Sequence, residues 1–423
     1  MKVLILGSGG REHALAWKIK KSNILEKLYI APGNAGTDSI AENISLNIKD
    51  FDSISEFVKN NRIDMIIIGP EDPLVNGIVD YFHLKNEHSD LMIIGPEKSG
   101  AMLEGSKDFA KEFMKDFNIP TARYFSATLK NIEKSKDFLK TLNPPYVLKA
   151  DGLAAGKGVV ILHDIDEAIL ELENILNGKF GNAGSKVVIE EYLDGVECSV
   201  FVLTDGSSYK ILPEAKDYKR IGENNTGLNT GGMGAVSPVP FFNKNFKDKV
   251  EEKIIKPTIN GIKSRNMDYK GFIFFGLMNV QGEPYVIEYN VRMGDPESEV
   301  VIPRLKSDLL KILISTSKQD LENIEIEFEE DAVATVMLVS GGYPEDYEKG
   351  KVIFGLDKVK DSIVFHAGTS LDNNKVKTSG GRVLAISSFG KDIFDALEIS
   401  YKTAEIINFD KMYYRKDLGF DLK

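Results

Sequence analysis

The chain has 423 residues, of which 42% are hydrophobic and 28% are charged, and its formal net charge is -11. This length predicts two to four domains, and the negative charge argues against a general nucleic-acid or membrane-surface binder. No apolar run approaches the roughly 20 residues of a membrane helix, no signal-peptide pattern is recognisable, and Cys198 is the single cysteine, so we expect a protein of the reducing cytoplasm.

The N-terminal segment predicts a phosphate-binding turn. Residues 1 to 7 read as a buried parallel strand, and the turn from Gly7 to His13 leads into a helical pattern. Such a turn offers backbone amides to an anion. The dinucleotide fingerprint would need glycine where Glu12 stands, and the segment from Ala31 to Gly36 lacks the acidic residue that would hold a ribose. NAD binding is therefore disfavoured, and a single phosphate fits the turn better.

Two further predicted strands end in similar turns. Gly69-Pro70-Glu71 and Gly95-Pro96-Glu97 each follow an apolar run. Open parallel sheets bind their ligands at the carboxyl ends of the strands. Three such turns at one sheet edge predict a pocket there.

A glycine-rich segment with two lysines predicts a nucleotide-binding hairpin. Lys149 lies on a predicted strand, and Lys157 lies in the following turn between Gly156 and Gly158. A Walker A loop is excluded, because only three residues separate Gly152 from Gly156 and no Ser or Thr follows the lysine. The glycines would let the loop close over phosphates. A plain β-hairpin is the alternative, which the two lysines disfavour.

The next predicted strand, from Lys186 to Glu197, carries two carboxylates suited to a nucleoside. One carboxylate and the strand backbone could pair with the donor and acceptor edge of adenine. A second carboxylate one turn later could accept hydrogen bonds from ribose hydroxyls.

The strand predicted from Tyr285 to Val291 carries the proposed chemistry. Side chains alternate with period two, so Val286, Glu288 and Asn290 are expected on one face. A carboxylate and an amide oxygen suit magnesium. Arg292 follows on that face and could reach the same phosphate. An edge strand with a solvated polar face is the alternative.

The last third predicts strands over 332–339, 362–369 and 382–387 and a helix over 393–407, which together indicate a mixed sheet with helices. Two glycine motifs, Ser340 to Pro344 and Ser379 to Arg382, are either plain turns or part of a substrate-closing surface. The sequence leaves both possibilities open.

Taken together, these segments resemble the ATP-grasp ligases and, within them, the phosphoribosylamine–glycine ligase family, also called glycinamide ribonucleotide synthetases. Motifs of that family occur in the same order along nearly the whole chain, over residues 7–18, 31–36, 103–107, 149–158, 217–220, 229–235, 290–297 and 379–384. The resemblance implies an α/β multidomain fold with an N-terminal doubly wound parallel sheet (1–103), an ATP-grasp core (104–325) with a small α+β lid (about 120–194), and a C-terminal mixed-sheet α/β domain (326–423).

The resemblance also implies a reaction. Glycine would be joined to 5-phosphoribosylamine through glycyl phosphate, giving glycinamide ribonucleotide, ADP and phosphate in de novo purine biosynthesis. ATP would be the co-substrate and Mg²⁺ or Mn²⁺ the metal. We expect a monomer that uses these small molecules and binds neither nucleic acid nor membrane.

Site residues follow by matching the family motifs. The residues implied to bind ATP are Lys107, Lys149, Gly156, Lys157, Gly158, Glu190, Leu193 and Glu197. The implied metal ligands are Glu288 and Asn290. The implied substrate-binding residues are Gly9, Gly10, Arg11, Glu12, Asn34, Glu71, Gly231, Gly232, Gly234 and Asp295. The implied catalytic residues are Arg292, Lys219 and Asp217.

Two other functions are compatible with parts of this pattern. Another ATP-grasp carboxylate–amine ligase, or a carboxylase of purine synthesis, would share the lysines and the metal pair but should lack the signatures at Asp217 and at Asn229 to Ala235. A nucleotide sensor should have lost Glu288, Asn290 or Arg292. All of these residues are present, so the ligase is the prediction.

Overall fold

The computed structural model describes residues 1–85, 88–152 and 158–422. The first hundred residues alternate strands with helices, as the sequence predicts. The strands are β1 (Lys2–Gly7), β2 (Lys27–Pro32), β3 (Glu42–Asn43), β4 (Met65–Ile68) and β5 (Met92–Pro96). The helices are α1 (Gly10–Ile19), α2 (Phe51–Asn61), α3 (Glu71–Val75), α4 (Ile78–His83) and α5 (Lys98–Gly105).

The N-terminal strands are apolar throughout because both faces of their sheet are covered. Val3 and Ile5 of β1 belong to one hydrophobic cluster, whereas Leu4 and Leu6 belong to another on the opposite face. All four side chains are fully buried. Parallel pairing in the order β3-β2-β1-β4-β5 confirms the predicted doubly wound sheet.

The middle of the chain contains most of the remaining elements. Its strands are β6 (Tyr124–Ala127), β7 (Tyr146–Ala150), β8 (Val159–Leu162), β9 (Val187–Glu191), β10 (Val196–Thr204), β11 (Tyr209–Ile211), β12 (Lys216–Asp217), β13 (Arg220–Gly222), β14 (Thr226–Asn229), β15 (Gly234–Ser237), β16 (Tyr269–Val280) and β17 (Glu283–Asn290). Its helices are α6 (Lys107–Asp116), α7 (Ile132–Lys140), α8 (Ile165–Asn174), α9 (Lys244–Val250), α10 (Lys256–Ser264), α11 (Ser298–Arg304) and α12 (Leu309–Ser317).

One nine-stranded sheet joins the first two predicted domains. Tyr269 and Lys270 of β16 pair antiparallel with Pro96 and Gly95 of β5, and the sheet continues from β16 to β10 and β11. β17 pairs with the edge of β16 opposite to β10. The predicted domain boundary at residues 103 and 104 thus separates strands that share one sheet. This continuity brings the carboxyl end of β17 to the ligand-binding edge of the parallel strands.

A separate four-stranded sheet, β6-β9-β7-β8, forms the region predicted as a lid. Antiparallel pairing of β7 with β8 confirms the predicted hairpin, whereas Gly156 and Lys157 lie outside the described residues. The single strand predicted from Lys186 to Glu197 is wrong, because the chain turns after Glu191 and β10 joins the nine-stranded sheet instead. Glu190 and Glu197 therefore sit on different sheets.

A β-bulge in β17 corrects the predicted side-chain alternation. Gly276 pairs with Glu288 and Leu277 pairs with Val286, which leaves Ile287 as an extra residue. Val286 therefore packs in the core, whereas Glu288 and Asn290 both line a cavity. The prediction that these two polar residues share a face holds, but Val286 is not on that face.

The C-terminal elements are β18 (Ala332–Val339), β19 (Ile363–His366), β20 (Thr369–Asp372), β21 (Lys375–Thr378), β22 (Arg382–Gly390) and α13 (Ile393–Ile406). The sheet has the order β12-β15-β18-β22-β19, so two strands come from the middle of the chain. Its pairs are all antiparallel, and the predicted mixed pairing is wrong in this detail. A parallel pair would need a crossover connection, usually a helix, between its two strands. The helix α13 does not provide one, because it follows the last strand. Among the described helices, none is long and apolar enough to span a membrane.

Candidate active site

Two cavities, which share Asp295 as a lining residue, lie at the edge where the sheets come together. The first has a volume of about 260 Å³ and lies between the lid, the nine-stranded sheet and α6. Its polar lining is formed by Glu71, Glu104, Lys107, Lys111, Gly158, Glu190, Asp217, Lys219, Gly231, Glu288, Asn290, Arg292, Gly294, Asp295 and Glu297. The cavity thus collects predicted ATP, metal and catalytic residues from segments nearly 200 positions apart.

Basic side chains surround one carboxylate at the lid side of this cavity. Glu190 Oε2 lies 2.9 Å from Lys149 Nζ, and Glu190 Oε1 lies 3.2 Å from Lys111 Nζ. Burial raises the pKa of Glu190, but these two lysines outweigh it and hold the pKa below its usual value. Lys107 Nζ donates to the Gly152 carbonyl at 3.2 Å, and burial lowers its pKa. The cluster carries a net positive charge, which suits a polyphosphate.

Lys111 was not predicted as a site residue, although it follows Lys107 by one helical turn. Its side chain is 2% exposed, burial lowers its pKa to about 8, and Nζ also donates to Thr121 Oγ1 at 2.7 Å. Two lysines spaced by four residues lie on one face of α6. That spacing is the signal that could have identified Lys111 from sequence.

Replacing Lys111 with methionine should destabilise the protein by about 1–3 kcal/mol, because Thr121 and Glu190 lose a buried donor. Urea unfolding followed by circular dichroism measures the change. Lys115→Met, at an exposed position of the same helix, is the matched control and should leave the midpoint nearly unchanged. Equal effects of the two substitutions would contradict the role of Lys111.

Glu288 and Asn290 provide oxygen donors suited to a metal ion. Both side chains are partly exposed to the first cavity. Neither makes a side-chain hydrogen bond or close ion pair with any residue that the structure describes. Free carboxylate and amide oxygens facing a polar cavity fit a magnesium or manganese ion that keeps several waters.

Arg292 lies at the end of β17 between two carboxylates. Its Nη2 lies 2.8 Å from Glu104 Oε1, and its Nε lies 3.2 Å from Glu71 Oε2. Glu104 also accepts from the Val291 amide at 2.8 Å, so it fixes both the backbone and the guanidinium. Burial raises the pKa of Glu104 to about 7 in spite of Arg292. Glu104 was not predicted, since its partners are nearly 190 positions away in sequence.

The remaining predicted catalytic residues form a second charged cluster. Lys219 makes an ion pair with Glu197. The charges of Glu197, Asp217 and Glu288 outweigh burial and hold the pKa of Lys219 well above its usual value. Burial raises the pKa of Asp217, and burial together with Asp217 raises the pKa of Glu297 to about 8. Glu297 lines the cavity but was not predicted.

The second cavity has a volume of about 380 Å³ and opens between the N-terminal sheet edge and the C-terminal strands. It is lined by Ser8, Gly9, Gly33, Asn34, Asp295, Tyr343, Ala367, Gly368, Thr369, Ser379, Gly380 and Arg382. Both glycine motifs of the last third contribute to it. Asp295 lines both cavities.

Some of the predicted substrate-binding residues near the first turn line the second cavity, and others are buried behind its wall. Gly9 and Asn34 line the second cavity, and Asn34 Nδ2 donates to the carbonyls of Ser8 and His366. Arg11 and Glu12 are buried behind it, where the Glu12 carboxylate accepts from Gly9 N at 2.6 Å and from Arg11 Nε at 2.7 Å. Gly10 begins α1 at the same place. Glu71, in contrast, lines the first cavity.

The glycine loop before β15 is held by the C-terminal strands. Gly231 lines the first cavity, its amide donates to Tyr343 Oη at 2.9 Å, and its carbonyl accepts from Arg382 Nη1 at 2.6 Å. Gly232 has a φ of 119°, which favours glycine, and Gly234 starts β15 beside Val336. Leu193, which was predicted to contact ATP, lies in the connection between β9 and β10 and lines neither of the two cavities.

Family models match three consecutive parts of the chain. They are phosphoribosylglycinamide synthetase N domain over residues 1–104, ATP-grasp (A) domain over 105–298, and C domain over 333–421. The chain belongs to the phosphoribosylglycinamide synthetase family.

Relatives and solved structures agree with this family. The phosphoribosylamine–glycine ligase of Fusobacterium nucleatum is 46% identical over 99% of this chain and 98% of its own length. The crystal structure of phosphoribosylamine–glycine ligase from Thermotoga maritima has a TM-score of 0.85 at 34% identity, covering 99% of this chain and 100% of that one. A biotin carboxylase domain of 2-oxoglutarate carboxylase from Hydrogenobacter thermophilus, in complex with MgADP, shares the fold alone, with a TM-score of 0.74 at 17% identity over 97% of this chain and 91% of that one.

Membership in the phosphoribosylglycinamide synthetase family confirms the resemblance read from the sequence, the three-part α/β architecture with an ATP-grasp core, and the prediction of an ATP-using ligase. The roles of individual residues and the domain boundaries stay predictions. Tyr343 and Arg382 lie in the two glycine motifs of the last third, but their contacts with Gly231 span more than 100 positions and could not be read from those motifs.

Proposed function

We propose that the chain joins glycine to 5-phosphoribosylamine at the expense of ATP, giving glycinamide ribonucleotide, ADP and phosphate in purine biosynthesis. The observation that carries the proposal is that Lys107 and Lys111, the oxygen pair of β17 and Arg292 all line the first cavity. Lys149 lies beside them through its ion pair with Glu190. Asp295 lines both the first and the second cavity. Family membership supports the same reaction.

ATP occupies the first cavity in this proposal. Lys107 and Lys149 face its phosphates. Glu190 and the Leu193 backbone recognise adenine, and Glu197 recognises the ribose. The ion pairs of Glu190 with two lysines fix the orientation of its carboxylate. One of its oxygens is therefore already positioned to accept a hydrogen bond from adenine.

Activation of glycine takes place at the end of β17. The glycine carboxylate attacks the γ-phosphorus, ADP leaves, and glycyl phosphate forms. Arg292 stabilises the charge on the transferring phosphoryl group, and Lys219 and Asp217 hold the glycine beside it. Such a transfer depends on positioning and charge neutralisation, and needs no side-chain nucleophile.

Glu288 and Asn290 would hold Mg²⁺ or Mn²⁺ next to the phosphates. When bound, such an ion neutralises charge on the β- and γ-phosphate oxygens. The chain itself supplies the two oxygen ligands on one face of β17 and a polar cavity with room for the remaining waters.

The second half of the reaction takes place between ligands bound in the two cavities. Phosphoribosylamine occupies the second cavity, where Gly9, Asn34 and the N-terminal end of α1 surround its phosphate and ribose. Its amine reaches the glycyl phosphate past Asp295. We also propose that the protein is a monomer and that it acts in the cytoplasm. Its single cysteine, which is free and buried, suits a reducing compartment.

The test is ADP release by the purified chain with magnesium, ATP and glycine, with phosphoribosylamine generated in place from ribose 5-phosphate and ammonia. Omission of ribose 5-phosphate, of ammonia or of glycine provides matched controls. ADP release that needs all components, with an equal amount of glycinamide ribonucleotide by mass spectrometry, is expected. Release with a different amine or carboxylate would contradict the substrate assignment, and absence of release with any pair would contradict the ligase.

A further inference from the structure

Asp295 occupies the wall between the two cavities. It lines both of them, and its side chain is 11% exposed. The residue follows Arg292 by three positions, just after β17. A group at this place is close to the acyl phosphate on one side and to the incoming amine on the other.

The two carboxylate oxygens of Asp295 have different surroundings. Oδ2 accepts from the backbone amide of Arg11 at 3.3 Å, which ties it to the start of α1. Oδ1 lies 2.9 Å from Arg382 Nη2 in an ion pair, yet it accepts no geometrically acceptable hydrogen bond from any residue that the structure describes. Oδ1 is therefore buried against Arg382, while Oδ2 accepts a single long hydrogen bond from the Arg11 amide and keeps capacity for a further donor.

Positive charges from three elements face this carboxylate. Burial raises the pKa of Asp295, but Arg382 of β22, Arg11 of α1 and Arg292 after β17 outweigh it and hold the pKa below its usual value. The nearby Glu299 of α11 is fully buried, and burial and the charge of Asp295 raise its pKa well above its usual value. Asp295 is thus ionised under the conditions in which the enzyme works.

We propose that Asp295 is the catalytic base that accepts the proton of the attacking amine. The inference rests on the proposed function, and assigns to Asp295 a role beyond binding substrate. As the amine nitrogen of phosphoribosylamine forms its bond to the carbonyl carbon of glycyl phosphate, one N–H proton passes to a carboxylate oxygen of Asp295. The C–O bond to the phosphate then breaks, and phosphate leaves with that electron pair.

A carboxylate with a low pKa is a sufficient base for this step. The amine nitrogen becomes ammonium-like as the C–N bond forms, and next to an electron-poor carbon such a group is far more acidic than the free amine. Proton transfer to Asp295 is therefore downhill late in the attack. A carboxylate that lines both cavities is the geometry that the step needs.

Arg382 is a positioning residue for this base, supplied by the C-terminal strands. Besides its ion pair with Asp295, its Nη1 donates to the Asp295 carbonyl at 2.7 Å and to the Gly231 carbonyl at 2.6 Å. It therefore fixes the base against the glycine loop of the first cavity. This contact gives the motif from Ser379 to Arg382 a role beyond turning the chain.

The first experiment compares two nucleophiles with Asp295→Asn. Hydroxylamine is small and largely unprotonated at neutral pH, so it traps an acyl phosphate as the hydroxamate with little need for a base. The variant should make glycinamide ribonucleotide about 10²–10⁴-fold more slowly than wild type, and should keep most of its glycine hydroxamate formation. Asp137→Asn, at an exposed position of α7, is the control and should match wild type in both assays.

Each other outcome counts against the base. An equal loss of both products, with ATP affinity and melting temperature unchanged, would place Asp295 in glycine activation. Loss of folding, seen in the melting curve, would make it a structural residue. Near-normal ribonucleotide formation would exclude it from proton transfer. Failure of the wild type itself to form either product would instead contradict the proposed function.

The second experiment measures the pH dependence of kcat with Arg382→Met. Loss of the positive charge raises the pKa of Asp295, so the acid limb of the profile should move to higher pH than in wild type. Arg382→Lys should restore part of the shift, because it restores the charge without the paired donors. A lower kcat with an unmoved acid limb would contradict the link between Arg382 and the base.

Discussion

Replacing Arg292 with alanine should lower kcat by about 10³–10⁵-fold, the range known for arginines that stabilise a transferring phosphoryl group. ATP binding should survive, because the lysine cluster that faces the phosphates is unchanged. The guanidinium lies at the end of the strand that carries the proposed metal ligands. Charge that develops during the transfer therefore arises next to it.

The carboxylates that hold Arg292 determine how well the variant folds. Glu104 loses its main positive neighbour, so its pKa, already raised to about 7 by burial, rises further and the group becomes neutral. Glu71 is more exposed and can be solvated. The fold should therefore tolerate the substitution, and the loss of rate reports on chemistry.

Single-turnover kinetics and calorimetric titration with a non-hydrolysable ATP analogue separate the two effects. Arg265→Ala serves as the control, since Arg265 pairs with Asp116 at the surface and should leave kcat unchanged. A near-normal turnover of Arg292→Ala would refute the role given to this residue. Loss of nucleotide binding would show that Arg292 acts earlier, in the ground state.

Substitution of Glu288 by glutamine should be nearly as damaging. The change removes one negative ligand from the proposed metal pair, and charge stabilisation by a bound metal is worth several kcal/mol, which corresponds to about 10³-fold in rate. The magnesium concentration for half-maximal activity should rise as well. Binding of Mn²⁺ followed by electron paramagnetic resonance measures the affinity without turnover.

The same strand offers a matched control. Glu283 begins β17, where Lys249 and Lys253 lower its pKa to about 2 through direct hydrogen bonds. Glu283→Gln should therefore alter neither the metal response nor kcat. If Glu288→Gln binds Mn²⁺ as tightly as wild type, the metal site lies elsewhere.

Regular elements were predictable because their patterns are local. The apolar run of β1 indicated a strand buried on both faces. The structure confirms this, because alternate side chains of β1 pack into two different hydrophobic clusters. The spacing of Glu288 and Asn290 also placed both in one cavity. The bulge at Ile287 was not predictable, since it depends on how β17 pairs with β16.

The site was predictable where its residues belong to one motif. Lys107, Lys149, Glu190 and Asp295 fall in or beside the cavities as their motifs suggested. Glu12, which was predicted to bind substrate, does not line either cavity as described. Its carboxylate turns back and accepts from the Gly9 amide, which is a capping contact at a three-residue spacing.

Contacts between distant segments account for what the sequence did not reveal. Glu104 was missed because its partner Arg292 lies nearly 190 positions away, and Arg382 because it reaches Asp295 from a strand 87 positions later. No periodicity encodes such pairs. The contact of Arg382 with Asp295 arises because the C-terminal sheet incorporates β12 and β15, which brings the last third of the chain to the site. The contact of Glu104 with Arg292 arises because α5 packs against β17.

The central claim is that glycine is activated as its phosphate in the first cavity and transferred to the amine in the second. The most direct measurement uses glycine labelled with ¹⁸O in both carboxylate oxygens, with unlabelled ATP and phosphoribosylamine, and mass spectrometry of the released phosphate. Our account predicts one ¹⁸O atom in each phosphate and one in each glycinamide ribonucleotide. Phosphate without label would contradict it.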